Sequence, residues 1–220
     1  MGRVFEWIDS RFGIKTPHRR FLQRPIPPGV NYSYCFGGAA FTLFLVSVVT
    51  GLFLSLSYVP SEAEAFRSIV RIQEDVRLGW LIRSIHKWSA NLLIVFVMLH
   101  AVRVLVTCAY RPPRELNWMV GVSTFVLLMA SGFTGYLLPW DQKAYWATVV
   151  GTSMAKSVPG IGEFLLLAVR GGPEVDGSTL IRFYSLHVLY LPLSMFILLW
   201  GHFHMVKRQG ISGGLRTTIQ

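Results

Sequence analysis

Four long apolar runs, separated by polar connections, organise the chain. The runs cover residues 32–58, 80–106, 118–138 and 180–206, and their apolar residues are consecutive instead of alternating. A helix needs about 20 predominantly apolar residues to cross a bilayer. The pattern therefore predicts an all-α membrane protein, built as a bundle of four membrane-spanning helices in a single domain over residues 1–220.

The connections between the runs differ in length and composition. Residues 1–31 are polar, basic and closed by prolines, so we expect a segment on the membrane surface. Residues 107–117 form a short turn, whereas residues 59–78 and 139–179 are longer and lie on the opposite side. The second long connection contains a short apolar piece, which predicts short helices at the membrane interface.

The charged residues indicate the orientation of the chain. The side that holds both termini has eleven basic and three acidic residues, and the opposite side has six basic and eight acidic residues. Because basic residues concentrate on the cytoplasmic side of membrane proteins, we expect both termini there. The net charge of +10 follows this topology, so no nucleic-acid partner is expected.

The second and fourth runs each carry two histidines. His86 and His100 are fourteen positions apart, and His187 and His202 are fifteen apart. These steps return a helix to within about 40° and 60° of the same face, roughly 21–22 Å further along. Both runs cross in the same direction, so the histidines form two level pairs. A lone histidine in a membrane more often bonds a neighbouring helix, but two matched pairs favour two stacked haem b groups.

The first and third runs carry glycines with the same fourteen-residue period. Any one of these glycines alone favours close packing of helices through small residues. The period shared with the histidines favours a flat macrocycle against the backbone, at an inner level for the first of each pair and an outer level for the second. The four glycines are Gly37, Gly51, Gly121 and Gly135.

Haem propionates are anionic and need basic partners at this depth. Arg83 lies one turn from His86, and Arg103 lies three residues beyond His100. Arg114 and Lys207 are weaker candidates, for which the alternative is a long side chain that reaches the membrane surface.

Six segments, distributed over nearly the whole chain, closely resemble the cytochrome b6 family. They include the sequence Pro-Trp-Asp-Gln after the third run. The fifteen-residue step between His187 and His202 also resembles this family. In the long mitochondrial-type cytochrome b, the corresponding step between the two histidines is one residue shorter. The segments are residues 34–38, 79–86, 111–118, 135–142, 179–187 and 207–213.

The resemblance implies the haem-bearing subunit of a quinol:cytochrome c or plastocyanin oxidoreductase. His86 and His187 are implied to bind an outer haem b, and His100 and His202 an inner one. Electrons from quinol oxidised near the outer surface would cross the membrane to a quinone on the cytoplasmic side, as part of a Q cycle coupled to proton translocation. The implied location is a bacterial inner membrane or a thylakoid-type membrane.

The same resemblance implies partners. These are a subunit IV with the remaining cytochrome b helices and the general base, a Rieske iron–sulfur protein, a c-type cytochrome and the quinone pool, in a dimer of multisubunit protomers. It also assigns the wall of the outer quinol pocket to the end of the third run. The residues of that wall are Tyr136, Pro139, Trp140 and Asp141.

Cys35 has a special interpretation under this resemblance. In cytochrome b6 and related firmicute cytochromes b, the cysteine at this position holds a third haem, a haem c, through a single thioether. The alternative is an inert thiol, which is the usual state of an unpaired cysteine. Cys108 has no such match.

Two other functions remain open at this point. One is a di-haem b membrane anchor of a hydrogenase or formate dehydrogenase, which the Pro-Trp-Asp-Gln sequence and the glycine period disfavour. The other is a haem-free membrane transporter subunit, which a reduced-minus-oxidised spectrum without a b-type band would favour.

Overall fold

The computed structural model describes residues 29–212, and the regular structure in that range is helical throughout. Residues 1–28, most of the predicted surface segment 1–31, lie outside the described residues. A 3₁₀ turn at Tyr32–Cys35 precedes the first helix. The α-helices are α1 (Phe36–Ser55), α2 (Ala65–Glu74), α3 (Gly79–Val106), α4 (Glu115–Leu137), α5 (Gln142–Lys156), α6 (Gly162–Arg170) and α7 (Gly177–Gln209).

Within the described range, four helices are long and apolar enough to cross a membrane, namely α1, α3, α4 and α7. This confirms the predicted four-helix membrane architecture. The helices associate as two close pairs, α1 with α3 and α4 with α7. One member of each pair carries the periodic glycines and the other carries the histidines.

The ends of the membrane helices have local causes. In the last turn of α1, the Leu54 carbonyl accepts the N–H groups of Ser57 and Tyr58, both at 3.1 Å, and the helix ends at Ser55. At the start of α4, Glu115 directly follows the turn and places a carboxylate in the first helical turn. A negative charge there favours the helix N-terminus.

The fourth membrane helix begins with a capping box. The Asp176 carboxylate accepts the N–H groups of Ser178 at 2.9 Å and Thr179 at 3.3 Å. The Thr179 hydroxyl in turn accepts the Asp176 N–H. The hydrogen bond from the Ser178 hydroxyl, together with those backbone N–H groups, holds the pKa of Asp176 below its usual value. The cap fixes the residue at which α7 begins.

α7 contains one wide turn of π-helix at Leu186–Tyr190. In this turn, the N–H of Leu191 donates to the carbonyl of Leu186, which is five residues earlier in the chain instead of the four of an α-helix. Such a turn holds one extra residue within an otherwise regular helix, and such turns frequently occur at functional sites.

The middle of the bundle is filled by apolar side chains from all four membrane helices. Phe44 of α1 meets Phe196 of α7 edge to face, with ring centres 5.0 Å apart. This mid-bundle core lies between the levels of the two histidine pairs. Its buried members are Ala40, Phe44, Leu93, Leu128 and Met195.

The long outer connections fold against the outer end of the bundle. α2 occupies the first connection, where the sequence pattern gave no helix, and α5 and α6 occupy the second. Arg170 of α6 is buried, and it donates to Thr152 Oγ1 at 2.7 Å and to the carbonyls of Pro173 and Val149 at 2.8 Å. These hydrogen bonds connect α6 to α5 and to the irregular segment that leads into α7.

Candidate haem-binding sites

The structure brings the four membrane histidines together as two facing pairs. The ring centres of His86 and His187 lie 6.2 Å apart, and those of His100 and His202 lie 6.4 Å apart. The two rings of each pair meet at the same angle, 79°. The pairs lie at two depths between the same two helices, α3 and α7.

The spacing of each pair fits one iron ion between two imidazoles. A ring nitrogen binds a metal ion at about 2 Å and lies roughly 1.2 Å from the ring centre, so two imidazoles across one iron have centres about 6.4 Å apart. A direct hydrogen bond between the rings would bring their centres closer than that. The arrangement therefore suits bis-histidine ligation at both depths.

At the outer level, backbone carbonyls hold the remote nitrogen of each ring. Nδ1 of His86 lies 3.0 Å from the Ser47 carbonyl oxygen, and Nδ1 of His187 lies 2.8 Å from that of Ser131. A neutral imidazole has one N–H, and these bonds place it on Nδ1. The lone pair of Nε2 is thereby left for a metal ion.

The periodic glycines lie beneath the histidine rings. A Cβ at each position would stand against one imidazole of the neighbouring helix, so the missing side chains make room for the ligands themselves. The sequence interpretation assigned this room to a flat macrocycle, whereas the described contacts are with imidazoles. The distances from a Cβ to the nearest ring atoms are 3.1 Å for Gly37 and His100, 3.1 Å for Gly51 and His86, 3.5 Å for Gly121 and His202, and 2.8 Å or less for Gly135 and His187.

A single rule links the glycines to the carbonyl acceptors. Ser47 precedes Gly51 by four residues, and Ser131 precedes Gly135 by four. In an α-helix, that carbonyl already accepts the glycine N–H, and its second lone pair faces outward. Because glycine has no Cβ, the imidazole can reach over it to this lone pair.

The inner level departs from this rule. The Asn117 carbonyl, four residues before Gly121, approaches Nδ1 of His202, yet that nitrogen completes no hydrogen bond within residues 29–212. Nδ1 of His100 instead faces the Arg103 guanidinium at 3.3 Å. The two levels thus hold their histidines by different means.

The π-helical turn explains how unequal histidine spacings give equal geometry. The step from His187 to His202 has one residue more than the step from His86 to His100. The wide turn at Leu186–Tyr190 absorbs that residue, so α7 presents its two rings as α3 does. Sequence reasoning missed the turn, and the unequal spacing was the signal that pointed to it.

Arg103 is the basic residue best placed for a haem propionate. Its guanidinium lies over the Tyr34 ring, 4.5 Å from the ring centre, beside His100. Its Nε and the Tyr34 hydroxyl are both buried without a partner in the described part of the chain. Two buried unpaired donors at one place suit an anionic group.

The other basic candidates have different surroundings. Arg83 donates to Gln73 Oε1 of α2 at 2.9 Å, in an exposed hydrogen bond. Arg114 makes a long hydrogen bond of 3.4 Å to the Gln209 carbonyl. Lys207 lies in the last turn of α7.

The predicted quinol-pocket residues lie at the outer end of α4 and in the turn after it. Tyr136 is more than half exposed, and Pro139 lies in the turn. Trp140 has φ 53°, a left-handed conformation that costs a non-glycine residue energy and is often found at functional sites. Asp141 caps α5 by accepting the Ala144 N–H at 2.8 Å. The Tyr58 hydroxyl donates to the Leu138 carbonyl at 2.7 Å and anchors the turn.

Cys35 is an exposed free thiol at the end of the 3₁₀ turn. Gly37, two residues after Cys35, lies against the ring of His100. The thiol is thus at the inner end of the bundle, near the inner histidine pair.

A helical membrane protein with two levels of facing histidines has the architecture of a membrane-bound b-type cytochrome. Residues 21–210 match the family described as Cytochrome b/b6/petB, and the chain belongs to this family. Family membership makes it a haem b-binding, multi-pass membrane protein and a cytochrome b subunit of a quinol oxidoreductase, within a multisubunit complex.

The relatives cover nearly the whole chain. It is 45% identical to cytochrome b6 of Chlamydomonas reinhardtii over 215 residues, which are 98% of this chain and 100% of the relative. The identity to cytochrome b6 of Porphyra purpurea is 44% over the same shares of both chains. Among solved structures, a chain of a hyperthermophilic respiratory Complex III matches with a TM-score of 0.87 and 33% identity over 94% of this chain. The protein spans 56% of the length of that chain.

Proposed function

We propose that the chain carries electrons across a membrane within a quinol:cytochrome c or quinol:plastocyanin oxidoreductase, in a Q cycle coupled to proton translocation. The observation that carries this proposal is that two facing histidine pairs lie at two depths in one bundle, with ring centres 6.2 and 6.4 Å apart. A hydrogenase or formate dehydrogenase anchor is disfavoured because the full-length relatives are cytochromes b6.

His86 and His187 hold the outer haem b in this proposal, and His100 and His202 hold the inner one. The bound haems supply reversible one-electron chemistry at each level. The protein itself fixes each imidazole through Nδ1 or through a glycine beneath the ring, and the buried mid-bundle core excludes water between the levels. Arg103 pairs with a propionate of the inner haem. Further basic partners for propionates, at the two ends of the bundle, are Arg83, Arg114 and Lys207.

Quinol oxidation takes place at the outer turn. Tyr136, Pro139, Trp140 and Asp141 form one wall of the pocket, and subunit IV completes it with the general base. The strained φ of Trp140 and the cap made by Asp141 support a turn whose shape is maintained for binding. The Rieske protein receives one electron and a c-type cytochrome lies downstream, while the second electron crosses to a quinone on the cytoplasmic side.

The proposed activity predicts the effect of removing one ligand. In the purified complex, His86→Leu is expected to lose the outer haem b and to abolish quinol-driven reduction of a soluble c-type cytochrome, because leucine offers no lone pair to iron. Reduced-minus-oxidised spectra and cytochrome c reduction measure both effects. His204→Leu is the control, since His204 is exposed and stacks on Trp200. Spectra with b-type bands but no quinol-dependent reduction in the wild type would contradict the proposal.

We also propose a covalent haem c at Cys35. The exposure of the thiol and its place near the inner histidines support this assignment. On a denaturing gel stained for haem, the wild-type chain and Cys108→Ser are expected to stain, and Cys35→Ser is expected not to stain. Stain that survives Cys35→Ser, or an unstained wild-type chain, would rule the assignment out.

A further inference from the structure

The outer level contains a short sequence repeat. Ser47-Val-Val-Thr50-Gly51 in α1 and Ser131-Gly-Phe-Thr134-Gly135 in α4 share the pattern Ser-x-x-Thr-Gly. In both copies, the glycine lies under an outer histidine and the serine carbonyl accepts from that histidine. At the inner level, the residues before Gly37 and Gly121 are Phe and Val, so threonine belongs to the outer level alone.

The two threonines make the same bonds within their own helices and differ in one contact with a histidine. The Thr134 hydroxyl bonds to the carbonyls of Ala130 at 2.9 Å and Ser131 at 3.1 Å, which lie in its own helix. The Thr50 hydroxyl likewise bonds to the carbonyls of Val46 at 2.7 Å and Ser47 at 3.1 Å, and it also lies 3.0 Å from Nδ1 of His86. Both threonines are buried.

The protons at Thr50 can be assigned by counting donors. A hydroxyl has one hydrogen, and the shortest bond, to the Val46 carbonyl, uses it. The oxygen of Thr50 then accepts the Nδ1–H of His86. That N–H is shared between Thr50 Oγ1 and the Ser47 carbonyl, each at 3.0 Å. His187 has the Ser131 carbonyl at 2.8 Å and the Ser131 hydroxyl only at 3.4 Å.

We propose that Thr50 is a positioning residue for the outer haem, because its hydroxyl is the second acceptor for the Nδ1–H of His86. Two acceptors for one N–H fix the plane of the ring. They also draw the Nδ1 proton away and make Nε2 a stronger donor to iron, which favours the oxidised state. The inference rests on the proposed ligation by His86 and His187.

Redox titration of the assembled complex tests the proposal. Thr50→Val keeps the shape of the side chain and removes the hydroxyl, and Thr134→Val is its matched control. In Thr50→Val, the outer haem is expected to become easier to reduce by three- to tenfold in its equilibrium constant, where tenfold corresponds to about 59 mV for one electron. The inner haem and both haems of Thr134→Val are expected to keep their potentials. Thr50→Ser, which retains the hydroxyl, is expected to restore the wild-type potential.

The outcomes separate the inference from the ligation on which it rests. Equal potentials in Thr50→Val and Thr134→Val, or equal loss of haem from both, would overturn the role of Thr50. Loss of the outer haem from Thr50→Val, with retention in Thr50→Ser and Thr134→Val, supports it. If an outer-haem signal persists in His86→Leu, the ligation itself is wrong. Electron paramagnetic resonance of the oxidised complex adds a readout of ring orientation, which should change in Thr50→Val alone.

Discussion

Gly135→Ala is expected to expel the outer haem while the inner haem remains. A Cβ at this position would lie 2.8 Å from Nδ1 of His187 and closer still to the neighbouring ring carbon. Real side chains do not show such contacts, so the ring must move away from the carbonyl of Ser131 that orients it. The haem b content per chain, measured as pyridine haemochrome, should fall from two to one.

Gly121→Ala provides the matched control for that substitution. Its Cβ would lie 3.5 Å from the ring of His202, which is ordinary van der Waals contact, and both haems should stay. Gly37 and Gly51 are intermediate at 3.1 Å, so their alanine variants should retain haem that is lost more readily on heating. Equal haem loss from Gly135→Ala and Gly121→Ala would show that the contacts do not govern binding.

Deletion of Leu189 is expected to be tolerated although it lies inside a membrane helix. Leu189 is in the π-helical turn and 57% exposed. Its removal shortens the step from His187 to His202 to fourteen residues, the step that α3 uses in regular α-helix. The wide turn can then close into α-helix without rotating the two rings relative to each other. Both haem b groups should remain in the reduced-minus-oxidised spectrum.

Deletion of Val95 is the matched comparison. Val95 is 50% exposed and lies between His86 and His100, where α3 has no wide turn to close. One missing residue rotates the two histidines relative to each other by about 100° and shifts them by roughly 1.5 Å. At least one haem should be lost. Equal haem content in the two deletion variants would refute the role assigned to the turn.

The large-scale arrangement could be predicted from the sequence because it depends on length and period. Runs long enough to cross a bilayer define four helices, and the structure has four such helices among its described residues. The step from His86 to His100 nearly completes whole helical turns, so one helix presents both rings on one side. The levels of the histidines follow from that step and from the direction of each crossing.

The local contacts could not be predicted, because they depend on backbone details that the residue pattern does not encode. The extra residue after His187 could have rotated the ring or widened a turn, and the structure has the wide turn. Arg83 is predicted to pair with a propionate because of its distance from His86 along the helix, and its hydrogen bond to Gln73 of α2 is a contact that this distance does not reveal. The α2 helix is amphipathic, but at ten residues it is too short to form an apolar run of the kind that defines the membrane helices.

The mid-bundle core affects the passage of electrons and of protons differently. Ala40, Phe44, Leu93, Leu128 and Met195 carry no group that can bind and release a proton. An electron can tunnel across such a layer, whereas a proton needs a chain of polar groups or water to cross it. In the proposed function, this layer therefore lets electrons pass between the two haem levels and blocks protons, so that the voltage generated by electron transfer is not lost within the same helices.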